Sequence, residues 1–225
     1  MTKNKRNSWL ILILAFLFFP SFFLNFFLFQ KLKQTKTENM VKVLAVLDGD
    51  TIVLENKTKL RLRHIDAPEL ELCGGVEAKE FLEKLVSGKK VMIDQQIPDQ
   101  QGRAMAFIYV DQTLINKEIL KNGWARYHSD KTSVSEDLKK ANDLAKQNSL
   151  GIYSLKCYQK ENKENPNCQI KGNIENTGRG RKLFYLPNCA QYKFVIVEKD
   201  LGEQWFCSEK EAKSAGFIKA ATCPK

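Results

Sequence analysis

Val46–Leu70 reads VLDGDTIVLENKTKLRLRHIDAPEL. TIVL is β-branched and apolar, ENKTK turns the chain, and LRLRHI returns it with strict alternation, the pattern of a hairpin with one buried face. Arg63 and His64 read as ordinary residues of the returning strand. Asp48-Gly49 ahead of the hairpin is a turn signal. The pairing then brings together two carboxylates at strand ends, Asp50 and Asp66. Such a pair repels unless something neutralises it, and a hard divalent cation with oxygen ligands, Ca²⁺ or Mg²⁺, does so. Arg61 lies on the returning strand, and Arg103 follows a glycine in DQQGRAMAF. Guanidinium groups beside a carboxylate-bound cation point to phosphate, whose oxygens match their paired donors. Glu69, just past Pro68, is placed to orient or deprotonate a water. Each residue taken singly also has a plainer role, since Asp-Gly makes turns and strand arginines are commonly solvated.

Outward from the hairpin, MVKVLAVL begins a strand near Met40. GGVEAKEFLEKLVSGKK places Ala78, Phe81, Leu82, Leu85 and Val86 on one helical face, with Gly88 as a stop. KVMID and AMAFIYVD read as strands, and LINKEILKNGWA as a short helix ending at Gly123. A third helix follows in SVSEDLKKANDLAKQNSL, with a Ser133–Glu136 capping box and an apolar stripe of Leu138, Ala141, Leu144 and Ala145. This order predicts a mainly β, α+β fold, an OB-like barrel decorated by three helices.

The joint set VLDGDT, RLRHIDAPE, GVEAKEFLEKLV, DQQGRAMAFIYVD, NKEILKNGWA and LGIYS, in that order over residues 40–156, resembles the staphylococcal nuclease (thermonuclease) family. The resemblance implies an OB-fold and a Ca²⁺-dependent phosphodiesterase that cuts DNA and RNA and leaves 3′-phosphates. It assigns Asp50, Asp66 and the Ala67 carbonyl to the metal, with Asp48 supporting the metal's hydration. It assigns Glu69 to the water, and Arg61 and Arg103 to the phosphate. Ala67 stands where the family commonly has Thr, which leaves the carbonyl in place. The segment LELCGG after Glu69 is shorter than the corresponding loop of the best-known member. Gln100 and Gln101 replace residues that touch a terminal phosphate there, so weaker mononucleotide binding is expected. Some domains of this fold have lost these residues and serve as non-catalytic binding modules; here Asp50, Arg61, Asp66, Glu69 and Arg103 all persist.

The rest of the chain predicts context. A net charge of +10 over 225 residues favours polyanionic partners. After a basic tail (1–8), WLILILAFLFFPSFFLNFFLF (9–29) carries no charge, and about 21 residues suffice to cross a bilayer. No small-residue cleavage site follows it, so an uncleaved single-pass anchor is expected, with the bulk of the protein outside the cytoplasm. A polar linker spans 30–39. A second linker, 157–167, leads to a small α+β domain at 168–225, with strands at KLFYLP, YKFVIVEKD and EQWF and a helix opened by a Ser208–Glu211 capping box. This tail resembles the metal-binding module of Ada-type DNA repair proteins. Cys168, Cys189, Cys207 and Cys223 are candidates for two disulfides or for four zinc thiolates. Disulfides are favoured, because the spacings are wide and lack a Cys-x-x-Cys pair. Cys73 and Cys157 could tie down the end of the barrel domain.

Overall fold

The computed structural model describes residues 23–28, 40–128, 132–175 and 180–224. It divides into two units, Met1–Met40 and Val41–Lys225. In the first, Phe23–Leu28 is helical, and the rest of the expected anchor, with the flanking basic tail and polar linker, lies outside the described residues. Among the described residues no helix is long and apolar enough to cross a membrane.

The second unit opens with the hairpin. β1 (Met40–Val46), β2 (Thr51–Leu54) and β3 (Lys59–Leu62) pair antiparallel in sequence, with Val53 opposite Lys59 and Thr51 opposite Arg61. A two-residue strand, β4 (Ile65–Asp66), follows, and then α1 (Gly75–Val86), which buries Ala78, Leu82 and Val86. β5 (Lys90–Pro98), β6 (Ala104–Val110) and β7 (Thr113–Leu114) extend the sheet to the order β3-β2-β1-β5-β6-β7. A parallel pairing of β3 with β6, Leu60 opposite Ala104, joins the sheet back on itself, so the expected barrel is present. Register shifts in β1 and β5 supply the curvature that closure needs. Inside lie Ile52, Leu54, Leu60, Leu62, Val91, Ala106 and Ile108, each nearly or fully buried. They come from alternate positions of the strands, as the pattern predicts.

α2 (Ile115–Lys121), β8 (Arg126–Tyr127) and α3 (Ser135–Gln147) complete this region. α3 departs from expectation in two ways. Its N-cap is Val134 with no side-chain cap, so the Ser133–Glu136 box does not form; Ser135 Oγ instead lies 2.8 Å from the Thr132 N–H that it accepts. Leu144 is exposed, while Leu138, Ala141 and Ala145 are buried, so the stripe is narrower than the spacing suggests.

The alternation of LRLRHI also misleads at its end. β3 stops at Leu62, and Arg63-His64 form a turn in which His64 takes φ +65°. That conformation costs a non-glycine residue about 1–2 kcal/mol. Its ring stacks on Phe107 at 5.3 Å and on Tyr127 at 5.9 Å, burying the histidine. Fully buried Asn116 holds the same turn, donating to the Arg63 carbonyl (2.8 Å) and accepting from the Ile108 N–H (3.1 Å). The turn carries β4 out of the barrel to pair with β8, Ile65 opposite Tyr127 and Asp66 opposite Arg126.

Beyond a 3-10 turn at Gly151–Tyr153, β9 (Tyr158–Gln159) lies within 157–167 and pairs with β12 (Val197–Glu198). A four-stranded sheet orders β13 (Trp205–Phe206), β10 (Ile170–Ile174), β11 (Lys182–Tyr185) and β14 (Ile218–Lys219). α4 (Glu209–Ser214) starts at the expected Ser208 cap, whose side chain accepts from the Glu211 N–H. Glu211 reaches back to the Cys207 N–H. YKFVIVEKD is not one strand. It forms a 3-10 turn at Tyr192–Phe194, the short β12, and a second turn at Lys199–Leu201, because Tyr192 and Val195 pack on Cys189 and Ala220 instead of extending a sheet. Phe184, Phe206, Ala212 and Phe217 make a small core. Cross-links suit so small a core, and Cys168–Cys207 and Cys189–Cys223 are disulfides, as is Cys73–Cys157. All six cysteines are thereby paired, which leaves no thiolates for the zinc alternative.

Candidate active site

The turn before β2 builds the site's floor. Asp48 Oδ1 accepts the Asp50 N–H at 3.0 Å, closing an Asx turn. Gly49 between them packs where no side chain fits: a Cβ there would lie 2.6 Å from the Ala67 Cβ and 2.7 Å from the Ala78 Cβ. The turn is thus pressed against the Asp66-Ala67 exit on one side and α1 on the other. Gly49→Ala is expected to push them apart and to destabilise the protein by about 2 kcal/mol, the scale of an overpacked core. Chemical denaturation would measure it, and an unchanged midpoint would contradict the packing argument.

Asp50 points inward and is 2% exposed. Its Oδ1 accepts from Arg61 Nη1 at 2.6 Å and from Thr51 Oγ1 at 2.9 Å, and its Oδ2 accepts from the Ala67 N–H at 2.9 Å. Burial pushes the Asp50 carboxyl upward, and the Asp48 charge adds to this; Arg61, the Ala67 amide and Thr51 act against it. The other arm of Arg61, Nη2, donates to Asp66 Oδ1 at 2.6 Å. One guanidinium therefore bridges the two carboxylates that lie sixteen positions apart in sequence, and four assigned residues, Asp50, Arg61, Asp66 and Ala67, meet at one point.

Arg61 also lines a cleft of about 510 Å³, together with Arg63, His64, Arg103, Met105 and His128. Arg103 stands on a turn organised by Asp99, whose Oδ1 accepts the backbone N–H groups of Gln101 (2.8 Å) and Arg103 (2.7 Å). Asp99 Oδ2 accepts from Arg103 Nε at 2.6 Å. The side chain remains 54% exposed. Both arginines thus serve one cleft. Glu69 is exposed on the segment after Asp66 and is not among the cleft's lining residues.

The donor chemistry fits a hard cation. Asp50 and Asp66 offer carboxylate oxygens, and Ala67 is held against Asp50 by its amide. A buried carboxylate disfavoured by burial gains from any positive charge beside it. Among the described residues no group of three or more His, Cys, Asp or Glu gathers as a metal site, so a cation here would draw its remaining ligands from carbonyl and water oxygens, as Ca²⁺ readily does.

Two supports escaped the sequence reading. Asn116 carries a signal, an amide on the otherwise apolar face of INKEIL. Arg126, opposite Asp66, is bound by Asp200 from far along the chain, at 2.7 Å from Nε and 3.0 Å from Nη2, and no local pattern marks that pairing.

Comparison with known proteins agrees with this geometry. The family model "Staphylococcal nuclease homologue" matches residues 59–155. "Probable staphylococcal-like nuclease CAN2" of Oryza sativa subsp. japonica is 40% identical over 84 residues, 37% of this chain, which spans only 22% of that protein's length. "Thermonuclease" of Staphylococcus hyicus is 28% identical over 130 residues, 52% of this chain and 77% of its own. "Uncharacterized protein MJ1439" of Methanocaldococcus jannaschii is 31% identical over 146 residues, 50% of this chain and 70% of its own. Residues 59–155, which include Arg61, Asp66 and Arg103, therefore form a domain of the staphylococcal nuclease family.

Proposed function

We propose that the chain is a Ca²⁺-dependent nuclease that hydrolyses phosphodiesters of DNA and RNA to 3′-phosphate ends. The observation that carries this reading is the Arg61 guanidinium, 2.6 Å from both Asp50 and Asp66, at the edge of a cleft shared with Arg103. Asp50, Asp66 and the Ala67 carbonyl would hold the ion, which supplies positive charge to a phosphate oxygen. Arg61 spends two of its five N–H donors on the aspartates and keeps three for a phosphate. Arg103, which lines the same cleft just ahead of the strand paired with β3, would bind the same group. Both are then in position to offset the charge that builds on the phosphoryl oxygens and the leaving 5′-oxygen. Glu69 takes a proton from a water and aims it in line with the leaving oxygen. The persistence of this full set argues against a non-catalytic binding module.

The setting we propose is a membrane, with Trp9–Phe29 as the anchor and the catalytic unit outside the cytoplasm. Three disulfides and no free cysteine support an oxidising compartment. Carbonate extraction and protease protection of whole cells would test the anchor; a protein washed off by carbonate would contradict it.

The activity is tested on the full chain with single- and double-stranded DNA and RNA, in Ca²⁺ and in chelator. Cleavage is expected in Ca²⁺ alone, with Glu69→Gln slower by about 100-fold. Ca²⁺ should also raise the thermal midpoint, because only the folded chain gathers the two aspartates. Full activity in chelator, or in the Glu69 variant, would refute the assignment.

A further inference from the structure

The C-terminal unit is linked, through Arg126 and through Cys157, to both ends of the segment that carries Asp66 and Glu69. Asp66 and Glu69 share one segment that leaves the barrel at β4 and enters α1 at Gly75. At its start, Asp66 lies opposite Arg126 in the β4–β8 pair. The Arg126 guanidinium is gripped by Asp200 through two bonds and by Glu198 at 3.3 Å, with Asp200 itself only 2% exposed. Toward its end, Cys73 is bound to Cys157, and the Cys157 carbonyl accepts the Lys199 N–H at 2.8 Å. The two anchors therefore converge on three consecutive residues, Glu198, Lys199 and Asp200. Leu72 makes a further approach, 3.8 Å from the position a Cβ on Gly202 would take.

We infer that Glu198–Asp200 is a brace that sets the position of the Asp66–Glu69 segment for cleavage, so that the C-terminal unit is part of the framework of the site. A short loop pinned at both ends has fewer conformations to visit, so Glu69 spends more of its time where it can aim a water. Asp200, Arg126 and the Cys73–Cys157 bridge act through that segment and touch no substrate; they are positioning groups. The inference rests on the nuclease reading for its rate effect, and on geometry alone for its structural effect.

The test compares the full chain with Asp200→Asn and with the double variant Cys73→Ser/Cys157→Ser, by hydrogen exchange and by steady-state cleavage. The amides of residues 66–75 should exchange at least tenfold faster in each variant, while those of β5 and β6 keep their protection. The turnover number should fall about tenfold, with KM within twofold of the parent. Asp200→Glu, which keeps the charge, should restore part of both. Unchanged exchange in 66–75, or protection lost evenly over the barrel, would overturn the brace, and so would a rise in KM at constant turnover. If the cysteine variant does not fold, Asp200→Asn, which leaves the bridge intact, decides alone. A parent chain that cleaves no nucleic acid would remove the nuclease reading, while the exchange comparison would still accept or reject the brace.

Discussion

Arg61→Ala is expected to slow phosphodiester cleavage by about 1,000-fold, the upper range for loss of one group that stabilises transition-state charge. In the proposed mechanism the residue has two roles, and the substitution removes both. Its spare donors are lost to the phosphate, and the 2.6 Å links to Asp50 and Asp66 vanish together. The second loss has a stability consequence. Asp66 is 60% exposed at its side chain, so its half of the bridge is largely screened by water. Asp50 is 3% exposed and would be left buried with only a hydroxyl and an amide as donors. Breaking a buried pair costs about 3–5 kcal/mol, and the partial exposure of Arg61 lowers the expectation here to about 2 kcal/mol. Arg61→Lys separates the roles. A lysine returns a charge to Asp50 but has no planar fork to span both carboxylates, so stability should recover more than rate. Rates within about tenfold of the parent for Arg61→Ala would be incompatible with its place in the mechanism.

The second large effect concerns the small C-terminal core. Replacing Cys168 and Cys207 by serine opens a loop of 39 residues, which loop-closure entropy values at about 4 kcal/mol. The apolar cluster around Phe184, Phe206 and Phe217 is too small to absorb that loss comfortably. Denaturation of the variant should therefore become biphasic, with residues 168–223 melting first and the barrel later. Exchange of the β10 and β11 amides during the first phase would identify the unit that opens. A single transition at the parent's midpoint would show that the bridge contributes little.

How far the sequence revealed this molecule follows from the range of each interaction. The β2–β3 hairpin is legible because period-two alternation and its turn lie within a few residues of each other, and α1 because Ala78, Leu82 and Val86 repeat at helical spacing. His64 was not legible as a turn, since the alternating pattern runs through it and only packing on Phe107 and Tyr127 supports its left-handed backbone. In YKFVIVEKD the β-branched run promises a strand, but its apolar side chains are taken up by the cluster around Cys189. At the site, family motifs led to Asp50, Arg61 and Asp66, whereas bridging of both aspartates by one arginine needed coordinates. Arg126 and Asp200 look like any surface charges until the fold closes the distance between them. Wide spacings without a Cys-x-x-Cys pair favoured disulfides, but the order of the cysteines along the chain does not say which sulfur meets which.

That order governs what happens to a chain that is cut. Cys168–Cys207 and Cys189–Cys223 interleave, so a single break anywhere from 168 to 223 leaves the pieces covalently joined. Cys73–Cys157 gives the same protection from 73 to 157. Between them, the largely exposed stretch 158–167 is spanned by no bridge. A protease that cuts there yields two bodies held together only by non-covalent contacts, among them the Arg126–Asp200 pair, the Lys199–Cys157 backbone bond and the β9–β12 pairing, so between 73 and 223 this stretch is the one place where a single cut leaves no covalent link.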